Sequence, residues 1–367
     1  MTHDKSQNIS DKIKPQNPWT NISTIIVIII LIISGVVVYL RYFVKDSFVN
    51  NIISNNNSKK ETPKAVSKLD GTLVEKDLAS RYPLAVIVEN HPEARPQSGL
   101  DKASIVYEAI SEGGITRFLA VYSGRNADLV GPIRSARTYF VDWLSEYNAY
   151  FAHVGGNLDA LDMIKADAIL DLDQFGLGIP TYWRKPDPTK AIEHTMYSST
   201  ELLYKAATNK KYQSISQFQA LNFRKAKPSP DSAITQAVTI DFSTPQYKVI
   251  WEFNPQTNTY LRSLGGTPHR DSITGDRLAA SNLIIQEVDR WEAPTTINEQ
   301  GWAMKTIGSG RAKIFIEGKE TDCTWKKTGR TNRTIFYDTS GTEIDFIPGQ
   351  FWYEITPPEV FKMVKIS

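Results

Sequence analysis

Cysteine is nearly absent from this sequence of 367 residues, which contains only Cys323. An internal disulfide is therefore excluded, and we expect no lipid attached to a cysteine near the N-terminus. The net charge is only +2, which argues against a dedicated nucleic-acid-binding protein. The His-Glu-x-x-His, Walker A, Gly-x-Ser-x-Gly and Cys-x-x-Cys motifs are also missing. We therefore predict no cofactor and no nucleic-acid partner, while the motifs leave open whether the protein is an enzyme.

One long segment without charge stands near the N-terminus. Residues 22–40 would form a helix roughly 28 Å long, which is close to the thickness of a bilayer's hydrocarbon core. Trp19 precedes the segment and Tyr39 and Arg41 lie at its far end, as is typical of membrane interfaces. A cleaved signal peptide is the alternative, but the apolar run is long and no small-x-small cleavage site follows it. We predict a retained transmembrane helix at 22–40.

The charges that flank this segment do not determine its orientation. The nearby basic residues are Lys5, Lys12 and Lys14 before it and Arg41, Lys45, Lys59 and Lys60 after it. Because the numbers of basic residues on the two sides are nearly equal, the positive-inside rule favours neither orientation. A short N-terminal tail and a large C-terminal body favour a signal anchor, because long domains cross the membrane largely regardless of charge. We predict a cytoplasmic tail at 1–21 and an extracytoplasmic body.

Polar stretches divide the rest of the chain. Residues 41–71 contain too few apolar side chains to form a core and are predicted to form a flexible stalk. Two prolines among polar residues predict a linker at 225–233. We therefore expect a first domain at 72–224 and a second at 234–360. The predicted fold class is α+β, with an N-terminal transmembrane helix, a mixed α/β first domain and a mostly β second domain.

Hydrophobic periodicity predicts the elements of both domains. In the first domain, strands are predicted at 84–88, 104–110, 116–122 and 149–154. Helices are predicted from Ser135, after a cap at Asn157, and from Ser198 to about Thr208 with Ser199 as cap. In the second domain, short strands separated by turns, including a hairpin around 254–258, suggest a small barrel or sandwich.

Polar side chains crowd the ends of the predicted strands between 89 and 156, where open sheets form binding clefts. Arg134 and Arg137 are three apart, so at a helix start they would share one face and could bind an anion. Alternatively, these arginines pair with Glu108, Glu112 or Asp142 and only organise the fold. The candidate binding residues are Glu89, Asn90, Arg95, Glu108, Glu112, Arg117, Arg134, Arg137, Asp142 and His153.

A cluster of aspartates follows the candidate binding residues. Its members are Asp159, Asp162, Asp167, Asp171 and Asp173. Dense carboxylates can bind a hard divalent cation, but aspartates are also typical of caps, turns and solvated helix faces. We predict no metal site here, and we expect His194 to make a structural hydrogen bond.

Four motifs in order resemble the YerB-like lipoprotein family. They are Leu84-Ala-Val-Ile-Val-Glu-Asn-His-Pro-Glu-Ala-Arg, Tyr107-Glu with Glu112-Gly-Gly-Ile-Thr-Arg-Phe, Gly131-Pro-Ile-Arg-Ser-Ala-Arg and His153-Val-Gly-Gly. The resemblance continues through the second half, to about residue 358. It implies a bacterial envelope protein made of two domains of unknown function. Many members are lipid-anchored through a cysteine, whereas this chain is predicted to use a helix.

The first half also resembles LytR-CpsA-Psr phosphotransferases more distantly. The similar segments are Thr116-Arg-Phe-Leu-Ala-Val, Pro132-Ile-Arg-Ser and Ala152-His-Val-Gly-Gly. Ser135 stands where that family has an aspartate, so the same catalysis is not implied. The resemblance implies a shared site for a lipid pyrophosphate or another anionic envelope precursor.

Two hypotheses follow. In the first, the protein is a non-enzymatic envelope protein whose first domain binds a cell-wall component or a wall-synthesis protein. In the second, it is a phosphoryl-transfer enzyme acting on polyprenyl-pyrophosphate-linked precursors, with Arg117, Arg134 and Arg137 holding phosphates.

Overall fold

The structure is a computed structural model that describes residues 18–39, 63–215, 217–227, 237–294 and 301–367. Two compact units are present, Met1–Thr62 and Pro63–Ser367. The helices are α1 Pro18–Tyr39, α2 Lys76–Ala79, α3 Thr138–Leu144, α4 Leu158–Ala166, α5 Gln174–Leu177, α6 Thr200–Asn209 and α7 Pro358–Phe361. The strands are β1 Lys64–Val66, β2 Leu73–Glu75, β3 Leu84–Glu89, β4 Ile105–Ile110, β5 Thr116–Tyr122, β6 Tyr150–His153, β7 Leu170–Asp173, β8 Trp183–Arg184, β9 Met196–Tyr197, β10 Ala237–Asp241, β11 Lys248–Asn254, β12 Thr259–Leu264, β13 Thr267–Pro268, β14 Ala279–Ala280, β15 Asn282–Glu287, β16 Arg290–Glu292, β17 Trp302–Met304, β18 Gly308–Ile316, β19 Lys319–Lys327, β20 Ile335–Asp338, β21 Phe351–Thr356 and β22 Lys365–Ile366.

Helix α1 is the described part of the first unit. The side chains at 26–27 and 29–39 are exposed. Considering the residues whose placement is described, no helix is long and apolar enough to cross a membrane. The span at 22–40 therefore stays a prediction, and most of the predicted tail and stalk lies outside the described residues.

A ten-stranded mixed sheet forms the centre of the second unit, in the order β20-β19-β18-β15-β21-β4-β5-β3-β6-β7. Strand β21 lies between strands from the two halves of the chain. It pairs in parallel with both neighbours, so Tyr353 lies opposite Ile284 of β15 and Tyr107 of β4. The regions predicted as two domains therefore share one continuous sheet. Most of the predicted linker lies outside the described residues, and the boundaries stay predictions.

Both faces of this sheet are covered near its middle. All residues of β3 and β5 are buried. In β3, Leu84, Val86 and Val88 belong to one apolar core, and Ala85 and Ile87 belong to another. Alternate side chains of a strand point to opposite faces, so a strand covered on both sides has an unbroken apolar sequence. The corresponding predictions are confirmed as β3, β4 and β5.

A second, antiparallel sheet has the order β13-β12-β11-β10-β22, and β14 also pairs with β12. The predicted hairpin is confirmed by β11 and β12, whose pairing runs from Asn254 opposite Thr259 to Val249 opposite Leu264. The second half of the chain is mostly β, as predicted. Its described strands are divided among this sheet, the ten-stranded sheet and a two-stranded sheet of β16 and β17, so within the described residues they do not form a separate barrel or sandwich.

Two predicted helix caps are confirmed. Asn157 Oδ1 accepts a hydrogen bond from Ala160 N at 3.2 Å at the start of α4. Ser199 Oγ accepts one from Leu202 N at 3.2 Å at the start of α6. Each cap satisfies an N–H group that lacks a partner within the first helical turn.

The prediction that Arg134 and Arg137 share a helical face is wrong. Helix α3 begins at Thr138, and Arg137 is its N-cap with extended backbone angles. The backbone of Arg134 is paired with other segments, because its N donates to Ile87 O and its O accepts from Val154 N, both at 3.0 Å. With these groups paired outside a helix, the two arginines lie on an extended segment.

A buried ion pair joins the two halves of the chain between the sheets. Arg262 of β12 pairs with Glu108 of β4, and both side chains are fully buried. Arg262 Nη1 also donates to Nδ1 of His269 at 2.5 Å. Burial and the charge of Arg262 hold the pKa of His269 well below its ordinary value, so this ring is neutral.

A second carboxyl group, that of Glu354 in β21, lies beside this pair. Its side chain is fully buried, and Oε1 is 3.8 Å from Arg262 Nε. Burial and the neighbouring Glu108 raise the pKa of Glu354 well above its ordinary value. The protonated form of Glu354 is therefore favoured beside the ion pair of Arg262 and Glu108.

Replacing Arg262 by methionine is expected to lower the free energy of unfolding by about 3–5 kcal/mol at pH 7, because Glu108 is left buried without its partner. Urea denaturation of the full-length protein in detergent, followed by tryptophan fluorescence, measures this change. The double variant Arg262→Met/Glu108→Gln should recover part of the loss. Arg270→Met, at an exposed position, is the control and should change the free energy by less than about 1 kcal/mol. Equal effects of Arg262→Met and Arg270→Met would contradict this role for the pair.

Candidate functional site

Five of the predicted binding residues lie together where β3 and β4 end. Glu89 is the last residue of β3 and lies opposite Arg117 of β5. Glu112 lies in the short 3-10 helix between β4 and β5. Arg134 and Arg137 come from the extended segment before α3. We call these five residues the arginine cluster.

On one side of the arginine cluster, Arg134 and Glu89 form an ion pair through Nε and Oε2. The side chain of Arg134 is 27% exposed, whereas that of Glu89 is 2% exposed. Burial opposes the ionisation of Glu89, but the charges of Arg117 and Arg134 outweigh it and hold the pKa of Glu89 below its ordinary value. Glu89 is therefore charged at neutral pH.

On the other side, Arg137 and Glu112 form a two-point ion pair. Nε and Nη2 of Arg137 donate to the two carboxylate oxygens, the latter at 2.9 Å. Arg117 is buried behind this pair, with Nη2 3.9 Å from Glu112 Oε2. Burial alone would raise the pKa of Glu112, but the hydrogen bonds and charge of Arg137 and the charge of Arg117 lower it to about 2.

Three other predicted residues, Asn90, Arg95 and Glu108, belong to the buried network between the sheets. Asn90 Nδ2 donates to Glu108 Oε1 at 3.2 Å and to Thr116 Oγ1 at 2.6 Å. Asn90 Oδ1 accepts from Arg95 Nε at 3.1 Å. Arg95 Nη1 in turn donates to Gln246 O at 2.8 Å. The hydrogen bond from Arg95 to Gln246 joins the two halves of the chain.

The remaining two predicted residues contact other parts of the fold. Asp142 Oδ1 pairs with Arg330 Nε at 2.8 Å, and its Oδ2 accepts from Thr306 Oγ1 at 2.5 Å. The ring of His153 is buried, with Nε2 2.9 Å from Asp171 Oδ1. Asp142 therefore contacts the second half of the chain, and His153 contacts one of the clustered aspartates.

Two histidines outside the predicted set lie beside Glu89. The rings of His91 and His194 stack with centroids 4.7 Å apart and an interplanar angle of 6°. Nδ1 of His194 is 3.7 Å from Glu89 Oε2, and Nε2 is 3.7 Å from Glu93 Oε2. No sequence motif signals this arrangement, because His194 is distant in the chain and returns to the site only through the fold.

Exposed apolar side chains flank the arginine cluster. Phe175 is 77% exposed and Ile192 is 67% exposed. The ring of Phe175 lies against Gly155, whose carbonyl is hydrogen-bonded to the segment that carries the arginines. Ile192 precedes Glu193, whose carbonyl accepts from Arg134 Nη1 at 3.5 Å. A ligand at the cluster would therefore meet both charged and apolar surface.

Comparisons with known proteins cover almost the whole second unit. Residues 69–213 match the family described as "Protein of unknown function (DUF3048) N-terminal domain", and residues 238–353 match its C-terminal domain. The chain is 32% identical over 319 residues to the "putative lipoprotein YerB" of Bacillus subtilis (strain 168), covering 84% of this chain and 93% of the relative. The chain belongs to the DUF3048 family.

The crystal structure of the YerB protein from Bacillus subtilis shares the fold of this DUF3048 protein. The TM-score is 0.72 at 29% sequence identity, over 83% of this chain and 100% of the other. The resemblance to YerB-like proteins inferred from the sequence motifs is therefore confirmed. The DUF3048 N-terminal domain holds every predicted binding residue as well as His91 and His194, and the C-terminal domain supplies Arg262.

The ion pair of Glu112 predicts a pH dependence of stability. Its pKa falls from 4.5 to about 2 on folding, so the pair stabilises the protein fully above about pH 4.5, and this contribution is lost as the pH falls towards about 2. Glu112→Gln should lower the free energy of unfolding by about 2 kcal/mol at pH 6, with a smaller difference from wild type at pH 3. Urea denaturation at a series of pH values measures the difference, with the exposed Glu75→Gln as control. A difference that does not depend on pH would contradict the prediction.

Proposed function

We propose that this protein is an extracytoplasmic binding protein of the bacterial cell envelope, held at the membrane by the predicted segment 22–40 as a single-pass anchor. The uncharged, apolar sequence of this segment supports the anchor, as does the similarity to a relative whose name describes it as a lipoprotein. A lipoprotein is held at a membrane by its acyl chains. In this chain an apolar helix would supply the same attachment, with the second unit outside the cytoplasm.

The second unit binds an anionic component of the cell wall at the arginine cluster. The observation that carries this proposal is the grouping of Arg117, Arg134 and Arg137 around two carboxylates at one end of the sheet. Guanidinium groups bind phosphate and carboxylate groups through paired hydrogen bonds. Their positions are already fixed by Glu89 and Glu112, so little ordering is needed when a ligand binds.

Arg134 is the side chain best placed to meet such a ligand. It is partly exposed, and its hydrogen bond to Glu193 O is long, at 3.5 Å. A contact of that length is weak, so an anion can replace it at small cost. Arg117 is buried, so its positive charge would attract the anion without touching it.

A second candidate function is phosphoryl transfer on a polyprenyl-pyrophosphate-linked precursor. The exposed side chains of Phe175 and Ile192 beside the arginine cluster favour a ligand with an apolar chain. Arginine charges stabilise the transition state of phosphoryl transfer. In that reaction an acceptor hydroxyl attacks the phosphorus that carries the linked group, and the P–O–P bond breaks. Release of polyprenyl monophosphate in the presence of an acceptor, abolished by Arg134→Ala, would identify the protein as this kind of enzyme.

The anchor is tested by adding protease to intact cells from which the wall has been removed. The second unit should be digested, because it lies outside the membrane, while a cytosolic marker protein should survive. Recovery of the undigested chain, or its presence in the cytosolic fraction, would contradict the proposal.

Ligand binding is tested by co-sedimentation of the full-length protein with purified cell walls and by titration with farnesyl pyrophosphate, a short polyprenyl pyrophosphate. Arg134→Ala should weaken binding at least about tenfold, the loss expected for one charged contact. Arg270→Ala is the matched control, since Arg270 is exposed and belongs to the other half of the chain. Equal binding by both variants would contradict a role for the arginine cluster. Capture of a wall-synthesis protein from membranes by both variants, without binding to walls, would point to a protein partner instead.

A further inference from the structure

The histidine pair beside the arginine cluster belongs to a group of potential metal ligands. Within the part of the chain that the structure describes, His91, Glu93 and His194 form the one group of at least three His, Cys, Asp or Glu side chains whose ligand atoms all lie within 4.8 Å of one another. We propose that these three residues bind a divalent transition metal ion of the Zn²⁺ class.

The distances are close to those of a metal site before the ion enters. Two ligands of a tetrahedral ion with bonds of about 2.0–2.1 Å lie about 3.3 Å apart. Nε2 of His194 and Oε2 of Glu93 are 3.7 Å apart, which is too long for a hydrogen bond. The side chain of Glu93 is 55% exposed, so it can rotate to close the remaining distance.

The surroundings of His194 come close to those of a metal-binding histidine. Its side chain is 7% exposed, and Nδ1 lies 3.7 Å from Glu89 Oε2. Among the residues that the structure describes, Nδ1 has no hydrogen-bond partner, so the buried ring is incompletely satisfied. A carboxylate beside the second ring nitrogen holds the N–H tautomer that leaves Nε2 free to bind metal. Glu89 can take this role by a small movement towards the ring.

His91 supplies the third ligand at a small cost. Its Nδ1 accepts a hydrogen bond from Glu93 N at 3.3 Å, which is long and therefore weak. Binding a metal replaces this contact. The rings of His91 and His194 are stacked, and an imidazole binds metal through a lone pair in the plane of its ring. His91, the more exposed of the two rings, therefore turns out of the stack when it joins His194 on the ion.

The ligand types select the metal. Imidazole and carboxylate together suit Zn²⁺ and related ions, whereas Ca²⁺ and Mg²⁺ prefer oxygen ligands alone. Three protein ligands also leave a fourth position for water or another ligand. The site proposed here does not depend on the arginine cluster binding an anion.

Zinc binding is tested with the full-length protein, purified in detergent without a histidine tag and stripped of metal by a chelator. Competition with a fluorescent zinc indicator should show one Zn²⁺ per chain, and Zn²⁺ should raise the melting temperature. His91→Gln and Glu93→Gln should each weaken zinc binding at least about tenfold and abolish the rise in melting temperature. Both positions are more exposed than His194, so these variants are expected to fold, which circular dichroism without metal checks.

Glu292→Gln is the control, because Glu292 is an exposed carboxylate in β16. It should bind Zn²⁺ as the wild type does. Absence of zinc binding by the wild type at micromolar concentration would overturn the proposal. Equal affinity of the wild type, His91→Gln and Glu93→Gln would overturn it too, since the ion would then be bound elsewhere.

Discussion

The second unit depends on the ion pair between Arg262 and Glu108. Both side chains are fully buried, so each charge is stable in the core only with the other beside it. Arg262 belongs to the antiparallel sheet and Glu108 to the ten-stranded sheet, so the pair forms only when the two sheets are packed together. Arg95 extends the same contact, because its Nη1 donates to Gln246 O. The two DUF3048 domains are therefore parts of one folded unit.

The buried polar contacts between the sheets also limit which of the predicted binding residues can bind a ligand. Glu108 and Arg95 are occupied by contacts between the halves, and Asn90 is occupied by hydrogen bonds to Glu108 and Thr116. By contrast, Arg134 in the pair with Glu89 is 27% exposed, and Glu112 in the pair with Arg137 is 28% exposed. Among the predicted binding residues of the arginine cluster, Arg134 and Glu112 are therefore the charged side chains that a ligand reaches most directly.

The sequence predicts the parts of this fold that depend on local patterns. The continuous apolar run of β3 and the caps Asn157 and Ser199 need only neighbouring residues to be recognised. The backbone of Arg134 could not be predicted in this way, because its hydrogen-bond partners lie in other segments. The same holds for Asp142, whose partner Arg330 comes from the second half, and for His194, which reaches Glu89 only in the fold.

Glu89 connects the arginine cluster with the histidine pair. Its Oε2 contacts Arg134 and lies 3.7 Å from Nδ1 of His194. A carboxylate oxygen that moves towards one of these partners weakens its attraction to the other, because Coulomb energy falls with distance. A metal ion on His194 would draw Glu89 towards the ring, and Arg134 would then have more of its charge available for an anion. Binding of a cation and of an anion at this end of the sheet would therefore favour each other through one carboxylate.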